Sequence, residues 1–410
     1  GDFSSSNNAT KLSFKTASSE AAAEKMSLSS GGVLTTSGDI VAASGSVRNR
    51  PNTKPIIING DMSIVQRGIS TASITGTEIY TADRWKVQIS SAGTWTQTQE
   101  ALTSGGPYED GFHNSLKMDC TSADGSLGAG DYCNISYSIE AFDCQTMKKG
   151  TSSAEKWTVG FWVKATKTGT YILQAVNLDN TVRICATAYT VSSADTWEYK
   201  IVNFPADTDS SGKIVDDNGE GIRLMWWMAA GSNYTSGTLA TTWADTNNAN
   251  RAVGQVNAAD STSNNFEITG VQLELGEYTS STMPPFQHES YGENLARCQR
   301  YFQRFGGAWH GAYSIMYTGS VYTTSAAYIP HPVPTTMRGN PSFARGGNLS
   351  DFTWQDGNTT GNPTGIAAEQ MHENMFLLLI SDSGGDFTDG QAIRCYNNAT
   401  AGYFDISAEL

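Results

Sequence analysis

The sequence predicts an all-β protein, and three features indicate this. Short stretches of alternating apolar and polar residues recur along most of the chain, as in half-buried strands. Gly, Ser, Thr and Asn are abundant while only 16% of residues are charged, which suits short strands joined by tight turns. Only one stretch, near residue 290, has a convincing helical pattern. Many strands with one late helix favour an antiparallel sandwich of jelly-roll type.

The charge balance and the hydropathy argue against two kinds of partner. The formal net charge is −14, and the sequence shows no basic face of the kind that binds nucleic-acid phosphates. The longest apolar run, Met375 to Ile380, is far shorter than the roughly 20 residues of a membrane-spanning helix. We therefore expect no nucleic-acid binding and no membrane insertion, and we predict a buried strand at this run.

The cysteines predict free, buried thiols, because they form no C-x-x-C pair and sit among apolar neighbours. The six are Cys120, Cys133, Cys144, Cys185, Cys298 and Cys395. The sequence shows no signal peptide and starts at Gly1 rather than at Met, so we expect a fragment or a processed product of a longer protein.

Residues 1–55 form the first predicted segment, which is polar and carries isolated apolar pairs. The pairs are Leu12/Phe14, Met26/Leu28 and Val33/Leu34. One copy of such a segment buries too little apolar surface to offset the entropy of ordering it. It is either a flexible linker or a set of strands that complete a core when several chains intertwine. The alternation in residues 11–15 and 26–28 favours intertwined strands.

Residues 56–283 carry the strand signals of the predicted jelly roll. Residues 157–165 alternate, with Trp162 on the outer face of the strand. Residues 222–228 are apolar on both faces, so this strand is central or its outer face is covered.

A change of parity marks the last strand of this region. Phe266 and Ile268 are at even-numbered positions and would lie on one face of a regular strand, whereas Val271, Leu273 and Leu275 are at odd-numbered positions and would lie on the other. A β-bulge at Gly270 would restore all of them to one face.

Residues 284–307 are predicted to connect the body to the C-terminal region through a helix. Ser290 and Glu293 have the spacing of a capping box, and Gly306-Gly307 is a helix stop. Four residues fall at i, i+3, i+7 and i+10 and would form one narrow apolar stripe: Leu295, Cys298, Phe302 and Phe305. This stripe either packs on a neighbouring domain or meets its own copies around a symmetry axis; the second alternative makes it the predicted oligomerisation surface.

Residues 308–410 are predicted to form a small C-terminal β domain. Strands are expected at four places along the region: Tyr313, Ile315, Tyr317 and Tyr322; Tyr328-Ile329; Met375–Ile380; and Tyr403–Ile406. Pro330, Pro332 and Pro334 predict that the His331 region is an extended loop or a sheet edge.

Several of these stretches together resemble tail-fibre and receptor-binding proteins of tailed bacteriophages, especially marine ones. The resemblance is carried by Ile58–Gly68 (INGDMSIVQRG), Tyr80–Trp85 (YTADRW), Ile268–Gly276 and Pro284–Phe302. Residues 11–40, with LSFKT, EKMSL and SGGVLTTSG, are similar to the repeats that precede such domains in fibre shafts. The closing AGYFDISAEL is similar to the ends of such fibres.

This resemblance implies a homotrimer with an intertwined β shaft, a jelly-roll body like a carbohydrate-binding module and a tip that faces the host. It implies a virion location on the phage tail, synthesis in the host bacterial cytoplasm, and other phage tail proteins as partners. NGDM and YTADRW are also similar to the opening of one carbohydrate-binding jelly-roll group. Ser63 and Thr269 stand where that group often has acidic residues, so its calcium site is not carried over.

Other motifs favour neither a cofactor nor catalysis. Asp207, Asp209 and Ser211 imitate the first half of a calcium loop, but Asn218 replaces the final Glu and no helix flanks the loop. We expect no cofactor, with structural Ca²⁺ at this loop as the alternative. No pair of carboxylates and no His-based triad stands out, so no catalytic residue is predicted.

The predicted function is attachment to a host glycan, either surface polysaccharide or lipopolysaccharide. Sugars stack on exposed aromatic side chains while polar groups bond their hydroxyls. The wider candidates are Trp162, Tyr234 and His310, and the favoured ones are Trp354, Asp356, Trp309, Tyr313, Trp227 and Trp243. The segment 354–358 is preferred because a tryptophan in a polar, Gly-rich loop has little sheet to cover it. The alternatives are a glycan-degrading tail enzyme and a purely structural tail component.

Overall fold

The computed structural model describes residues 12–16, 23–30, 34–36, 40–42, 45–47, 54–315, 317–357 and 359–410. The chain divides into two compact units, Gly1–Thr53 and Lys54–Leu410. The predicted boundaries at residues 55, 283 and 307 stay predictions. Lys11 and Val33, which the sequence argument used, lie outside the described residues.

The described residues of the first unit form five short strands. They are β1 Leu12–Thr16, β2 Ala23–Leu28, β3 Leu34–Thr36, β4 Ile40–Ala42 and β5 Gly45–Val47. β1, β2 and β3 form an antiparallel sheet, and β4 pairs with β5. Leu12 lies opposite Leu28, which lies opposite Leu34. These three leucines form a row across the sheet, and each is between 42% and 57% exposed.

The second unit begins with two antiparallel sheets that pack face to face. The six-stranded sheet contains β6 Ser70–Ile74, β9 Thr94–Ala101, β10 Asn114–Ser122, β12 Trp157–Ala165, β15 Glu198–Phe204 and β18 Asn265–Leu275, in the order β15-β12-β18-β10-β9-β6. The seven-stranded sheet contains β7 Thr77–Tyr80, β8 Trp85–Ser90, β11 Tyr132–Glu140, β13 Gly169–Asn177, β14 Arg183–Val191, β16 Glu220–Ala230 and β17 Ala244–Asp245, in the order β17-β14-β13-β16-β11-β8-β7.

The core of this sandwich lies between the two sheets. Inward side chains of β12 meet those of β16, and the rings of Phe161 and Trp226 are 5.8 Å apart, edge to face. Such aromatic contacts add to the large apolar area that these side chains bury. The prediction of an all-β protein with a jelly-roll sandwich is confirmed.

The β-bulge predicted in β18 is present at Gly270. Gly160 pairs with Gln272 but Trp162 pairs with Thr269, so β18 carries one residue more than β12 at this point. Gly270 has φ 62°, a left-handed conformation that glycine adopts without steric cost. As a result, side chains on both sides of the bulge enter the same core.

The prediction for residues 222–228 is also confirmed. β16 is central in its sheet, and Met225 and Trp227 on its outer face are buried. The segment 231–258 crosses this outer face and covers it, with Ala252 and Tyr234 in the same apolar cluster.

Helices are short in the described part of the chain. The α-helices are α1 Gly106–Glu109, α2 Ala141–Cys144, α3 Ser232–Thr235, α4 Tyr291–Gln299 and α5 Gly307–His310. The 3-10 turns are Gln145–Met147, Ser210–Gly212, Asn248–Asn250 and Leu349–Asp351. None of the described helices combines the length and the apolar character that crossing a bilayer requires.

The predicted helix is correct at its start and wrong at its end. The capping box of Ser290 and Glu293 is present, but α4 stops at Gln299 and strand β19, Phe302–Gly306, follows. The cause is pairing with β28, Tyr403–Ser407, which no local pattern can reveal.

The apolar stripe predicted on this helix therefore does not exist. Cys298 is buried in the core of the sandwich, and Leu295 packs partly against that core. Phe302 is buried with the guanidinium of Arg67 3.4 Å above its ring, while Phe305 packs on the core of the C-terminal region.

The C-terminal region is a second group of β-sheets, as predicted. Its strands are β19 Phe302–Gly306, β20 Tyr317–Thr323, β21 Ala326–Pro332, β22 Ser342–Gly346, β23 Phe352–Asp356, β24 Thr359–Gly361, β25 Gly365–His372, β26 Met375–Ser381, β27 Ala392–Asn397 and β28 Tyr403–Ser407. They form a three-stranded sheet, β19-β28-β22, and a seven-stranded sheet, β24-β23-β27-β20-β21-β26-β25.

His331 lies inside this region rather than at its surface. β21 pairs with β26 along its whole length, so of the two predicted alternatives the loop was wrong, while the end of the strand has β26 as its one partner, as at a sheet edge. Its pairing with β20 covers only residues 326–328. Pro330 and Pro332 therefore lie where one side of the strand has no partner strand, and a missing N–H costs no ladder bond there.

The six cysteines are free and buried, which confirms the prediction for them.

Candidate functional site

The segment favoured for glycan contact is not an exposed loop, and that prediction was wrong. Trp354 and Asp356 lie on β23 and are each 1% exposed. They occupy alternate positions of the strand and point to the core. There Trp354 contacts Phe387 edge to face, with ring centroids 4.7 Å apart. Asp356 accepts a hydrogen bond from the backbone N–H of Thr388 at 2.7 Å. Asn358 lies outside the described residues.

Two further tryptophans proposed as exposed are buried in other parts of the second unit. Trp227 belongs to the covered outer face of β16. Trp243 donates from Nε1 to the carbonyl of Pro205 at 2.9 Å, and the ammonium of Lys149 lies 3.2 Å from its ring centroid. Both indoles are held by the protein itself.

Trp309 and Tyr313 keep more of their surface. Trp309 is half-buried against the sandwich core, and Tyr313 is 58% exposed and 5.7 Å from the ring of Tyr396. The six favoured candidates thus do not converge on one site.

The carboxylates of the calcium-like loop form ion pairs with basic side chains of the protein itself. The carboxylate of Asp207 lies 2.9 Å from Lys149 Nζ and 3.2 Å from Arg183 Nε, and Asp209 pairs with Arg183 at 3.2 Å. These positive charges would repel a calcium ion. Among the described residues, no group of three or more His, Cys, Asp or Glu side chains is placed to hold a metal.

An open cleft lies on the outer face of the six-stranded sheet, and we name it the bulge cleft. It encloses about 410 Å³. Its lining residues are Asp110, Phe112, Trp162, Tyr199, Gly270, Gln272, Ser280, Met283, Pro284, Pro285, Phe286 and His288.

One side of the bulge cleft is an aromatic pair built by strand register. Trp162 on β12 lies directly opposite Tyr199 on β15, and their ring centroids are 5.3 Å apart. Trp162 points away from the core because its neighbours Phe161 and Val163 point into it. Tyr199 lies on the same face because it is directly opposite Trp162. Trp162 donates from Nε1 to Asp110 Oδ2 at 3.2 Å, which fixes the indole and leaves the other carboxylate oxygen beside it.

Two glycines leave the space that these two rings occupy. A Cβ on Gly106 would lie 2.6 Å from the Trp162 ring, and one on Gly160 would lie 2.5 Å from the Tyr199 hydroxyl. The rings therefore occupy space that any larger residue at either glycine would take.

The floor of the cleft is polar and comes from the bulged strand. Gln272 is only 5% exposed and donates from Nε2 to the Tyr199 hydroxyl and to the Pro284 carbonyl, both at 3.1 Å. Its Oε1 is buried without a hydrogen-bond partner. Burial raises the pKa of Tyr199, although the bond from Gln272 lowers it, so the phenol stays protonated at neutral pH.

The opposite side of the cleft is a second aromatic group. Phe112, Phe286 and His288 are in mutual contact, with centroid distances of 4.8, 5.1 and 4.9 Å. A Cβ on Gly270 would lie 2.8 Å from Phe112 and 3.2 Å from Trp162. The bulge therefore brings the two aromatic groups together as well as realigning the core.

Aromatic surfaces on two sides with amide, carboxylate, hydroxyl and imidazole groups between them can hold a ring that is apolar on its faces and polar at its edge. Of the residues proposed from sequence for glycan contact, the bulge cleft contains Trp162. Sequence reasoning missed Tyr199, Gln272 and His288, although a search for outward aromatics on strands adjacent to Trp162 would have found Tyr199.

No protein-family model matches the chain, and no curated protein matches it in sequence. Similar solved structures include a putative sugar-binding protein from Bacteroides thetaiotaomicron, with 13% identity, a TM-score of 0.30, and coverage of 54% of this chain and 100% of the other. A family 11 carbohydrate-binding module from Clostridium thermocellum has 13% identity and a TM-score of 0.25, covering 51% of this chain and 99% of the module. The enzymatically active domain of tailspike protein 4 from bacteriophage CBA120 has 12% identity and a TM-score of 0.26, covering 50% of this chain and 21% of that one.

Proposed function

We propose that the protein is a non-enzymatic, homotrimeric component of a phage tail fibre that attaches to a host surface glycan through the bulge cleft. The observation that carries the glycan site is the Trp162–Tyr199 pair, presented on a sheet face above a buried glutamine. The phage tail assignment and the virion location rest on the sequence resemblance described above.

The physical argument is the match between this cleft and a pyranose ring. The apolar face of a sugar stacks on an aromatic ring, and hydrogen bonds from fixed polar groups select its hydroxyls. Asp110, Gln272 and Ser280 supply such groups along the aromatic surface. Each site would bind weakly, and three copies on one fibre would raise the avidity.

Trimer formation is supported by the leucine row of the first unit. Phe14 and Met26 form a second cross-strand pair with the same parity as this row, so one face of the small sheet is apolar. Burying this face would remove its apolar side chains from water, which is favourable. Copies of the same sheet, related by a symmetry axis, would cover it.

The glycan site is tested by binding of the purified protein to an array of bacterial capsular polysaccharides and lipopolysaccharides. Trp162→Ala should weaken binding to any glycan that the wild type retains by about tenfold or more, which corresponds to about 1.4 kcal/mol of stacking. Trp162→Phe should keep most of it. Tyr322→Ala removes an exposed aromatic on β20 and serves as the matched control that should bind normally. Wild-type binding by Trp162→Ala would refute the site.

The same preparation tests the alternatives. New reducing ends after incubation with the bound polysaccharide would show a glycan-degrading enzyme and refute the non-enzymatic proposal. A protein that binds no glycan as an intact oligomer would instead be a structural tail component.

Light scattering tests the trimer. We expect three times the 43.9 kDa of one chain, and the mass of a single chain at working concentration would refute it. Leu28→Asp should dissociate the trimer while residues 54–410 stay folded, because Leu28 belongs to the other compact unit.

A further inference from the structure

A second, smaller pocket lies on the outer face of the other sheet. It encloses about 170 Å³ and is lined by Gln88, Tyr132, Asn134, Arg223, Met225, Trp227, Tyr234 and Arg251. We name it the arginine pocket. Drug-sized ligands occupy pockets of about 300 Å³ or more, so this volume suits a single small ring or a smaller group.

Strand register builds the base of the arginine pocket. Gln88 on β8, Asn134 on β11 and Trp227 on β16 lie directly opposite one another and form a row across three strands. Cys133 and Ile135 point into the core on either side of Asn134, so the Asn134 side chain points to the outer face.

Asn134 has hydrogen-bonding capacity that the protein does not use. Its side chain is 0% exposed, and neither Oδ1 nor Nδ2 has a hydrogen-bond partner. A buried amide without partners costs free energy relative to an apolar residue of the same shape. At a position inside a sheet, where leucine or valine would pack well, such a group indicates a ligand.

Arg251 places an uncompensated positive charge over the same row. It donates from Nε to Gln174 Oε1 at 3.2 Å and from one terminal nitrogen to the weak acceptor Met225 Sδ at 3.3 Å. No carboxylate among the described residues forms an ion pair with it. The neighbouring Arg223 is already neutralised by Glu220, with one contact at 2.7 Å.

The surroundings of Arg251 make its charge unfavourable as the protein stands. Burial and the nearby Arg223 both lower the pKa of Arg251, and Tyr234 opposes them. Its guanidinium lies 5.2 Å from the Trp227 ring and 5.7 Å from the Tyr234 ring. Cation–π contact and two weak bonds leave several of the five N–H donors free to receive an anion.

Three aromatic rings complete the pocket. Tyr132, Trp227 and Tyr234 contact one another with centroid distances of 5.4 to 6.3 Å. The rings form an apolar wall. The Asn134 amide can form a hydrogen bond with a hydroxyl, and the Arg251 guanidinium can bind a planar carboxylate through two parallel hydrogen bonds.

We propose that the arginine pocket binds the carboxylate of one acidic monosaccharide unit, with Arg251 on the carboxylate and Asn134 on a ring hydroxyl. The site lies on the opposite sheet from the bulge cleft and does not depend on it. A chain with a net charge of −14 repels acidic ligands over most of its surface, so selection of one requires a local positive site of this kind.

The test is ligand-observed NMR titration of the full chain with sodium glucuronate, and with glucose as the neutral match. Glucuronate should bind at least tenfold more tightly than glucose, and Arg251→Gln should remove this preference. Acetate and sulfate should bind at least tenfold more weakly than glucuronate. Equal binding of glucuronate and glucose, or of glucuronate and sulfate, would overturn the assignment.

A second variant keeps the test clear of folding effects. Asn134→Leu removes the unpaired amide at nearly constant volume, so it should raise the midpoint of thermal unfolding while weakening glucuronate at least tenfold. Tyr322→Ala, which removes an exposed aromatic ring outside both pockets, should leave glucuronate binding unchanged. Undiminished glucuronate binding by Asn134→Leu would show that the ligand forms no hydrogen bond with Asn134, and would refute the proposal.

Discussion

Arg84 donates a hydrogen bond from its guanidinium to the carboxylate of Glu409 at 2.5 Å, although 325 positions separate the two residues in sequence. Both side chains are buried, and Arg67 reaches the same carboxylate at 3.1 Å. The Arg84 guanidinium also lies 3.5 Å from the Tyr301 ring centroid. The end of the described chain is thereby fixed to the first strands of the sandwich.

Glu409→Ala should lower the free energy of unfolding by about 3 kcal/mol or more, because it leaves a buried arginine without its counter-charge. Urea denaturation of the purified protein measures this. The control is Glu277→Ala, which removes an exposed ion pair with Lys156 and should change the free energy of unfolding by about 0.5 kcal/mol or less. Equal effects of the two substitutions would contradict the role given to Glu409.

Gly270→Ala should damage both the core and the bulge cleft. The φ of 62° disfavours any side chain, and the added Cβ would lie 2.8 Å from Phe112. Gly390→Ala isolates the backbone strain, since Gly390 has φ 74° with no atom near its Cβ; it should cost about 1 kcal/mol. Gly270→Ala should cost a further 1–3 kcal/mol, roughly the penalty of overpacking. Similar melting curves for the two variants would show that the bulge tolerates a side chain.

Because of Asp83, the free energy of unfolding should fall as the pH rises from about 4 to about 7. Burial raises its pKa from 3.8 to about 7, although Arg67 and Gln66 lower it. The folded state therefore holds a proton that the unfolded state has already lost, and the stabilisation present below pH 4 disappears as the pH rises through 7. The difference in melting temperature between Asp83→Asn and wild type should grow over this interval. A difference independent of pH would contradict the assignment.

His331 should have the opposite effect in the C-terminal region. Burial lowers its pKa to about 4, although its bond to Pro332 raises it, and the imidazole stacks on Phe376 at 4.6 Å. As the pH falls, the imidazole takes up a proton in the unfolded state at a higher pH than in the folded state. The free energy of unfolding present above pH 6.5 therefore decreases as the pH falls toward 4, by about 3 kcal/mol in total. His331→Phe should remove this loss. Hydrogen exchange of β21 and β26 at pH 7 and pH 5 measures it, and equal acid sensitivity of variant and wild type would refute it.

Patterns within one strand were sufficient to predict several features. The parity change around Gly270 predicted the bulge, and the two apolar faces of residues 222–228 predicted a covered strand, because both depend on neighbours in sequence. Side-chain parity also gave the outward direction of Trp162. In each case the period of two that a strand imposes carried the information.

Features that depend on distant pairing were not predicted. α4 stops early because residues 302–306 pair with β28, about 100 positions later, and this pairing outweighs the helical spacing of Phe302 and Phe305. Trp354 was taken for an exposed loop residue because nothing local shows that β27 lies beside its strand. Tyr199 and Gln272 join Trp162 only through the register of three strands. Arg251 lines the same pocket as Asn134 from a separate covering segment.

The pairing of β19 with β28 has a consequence for the modularity of the C-terminal region. Residues 302–306 bring the chain into this region and residues 403–407 close it on the adjacent strand. The intervening residues 307–402 thus form an excursion whose two ends meet at neighbouring positions. A different sequence could replace them without rerouting the chain, provided that it supplies a strand in the place of β22 beside β28 and that Glu409 is retained to bind Arg67 and Arg84. The fold therefore allows residues 307–402 to be exchanged as one unit while the two strands that attach them to the sandwich stay the same.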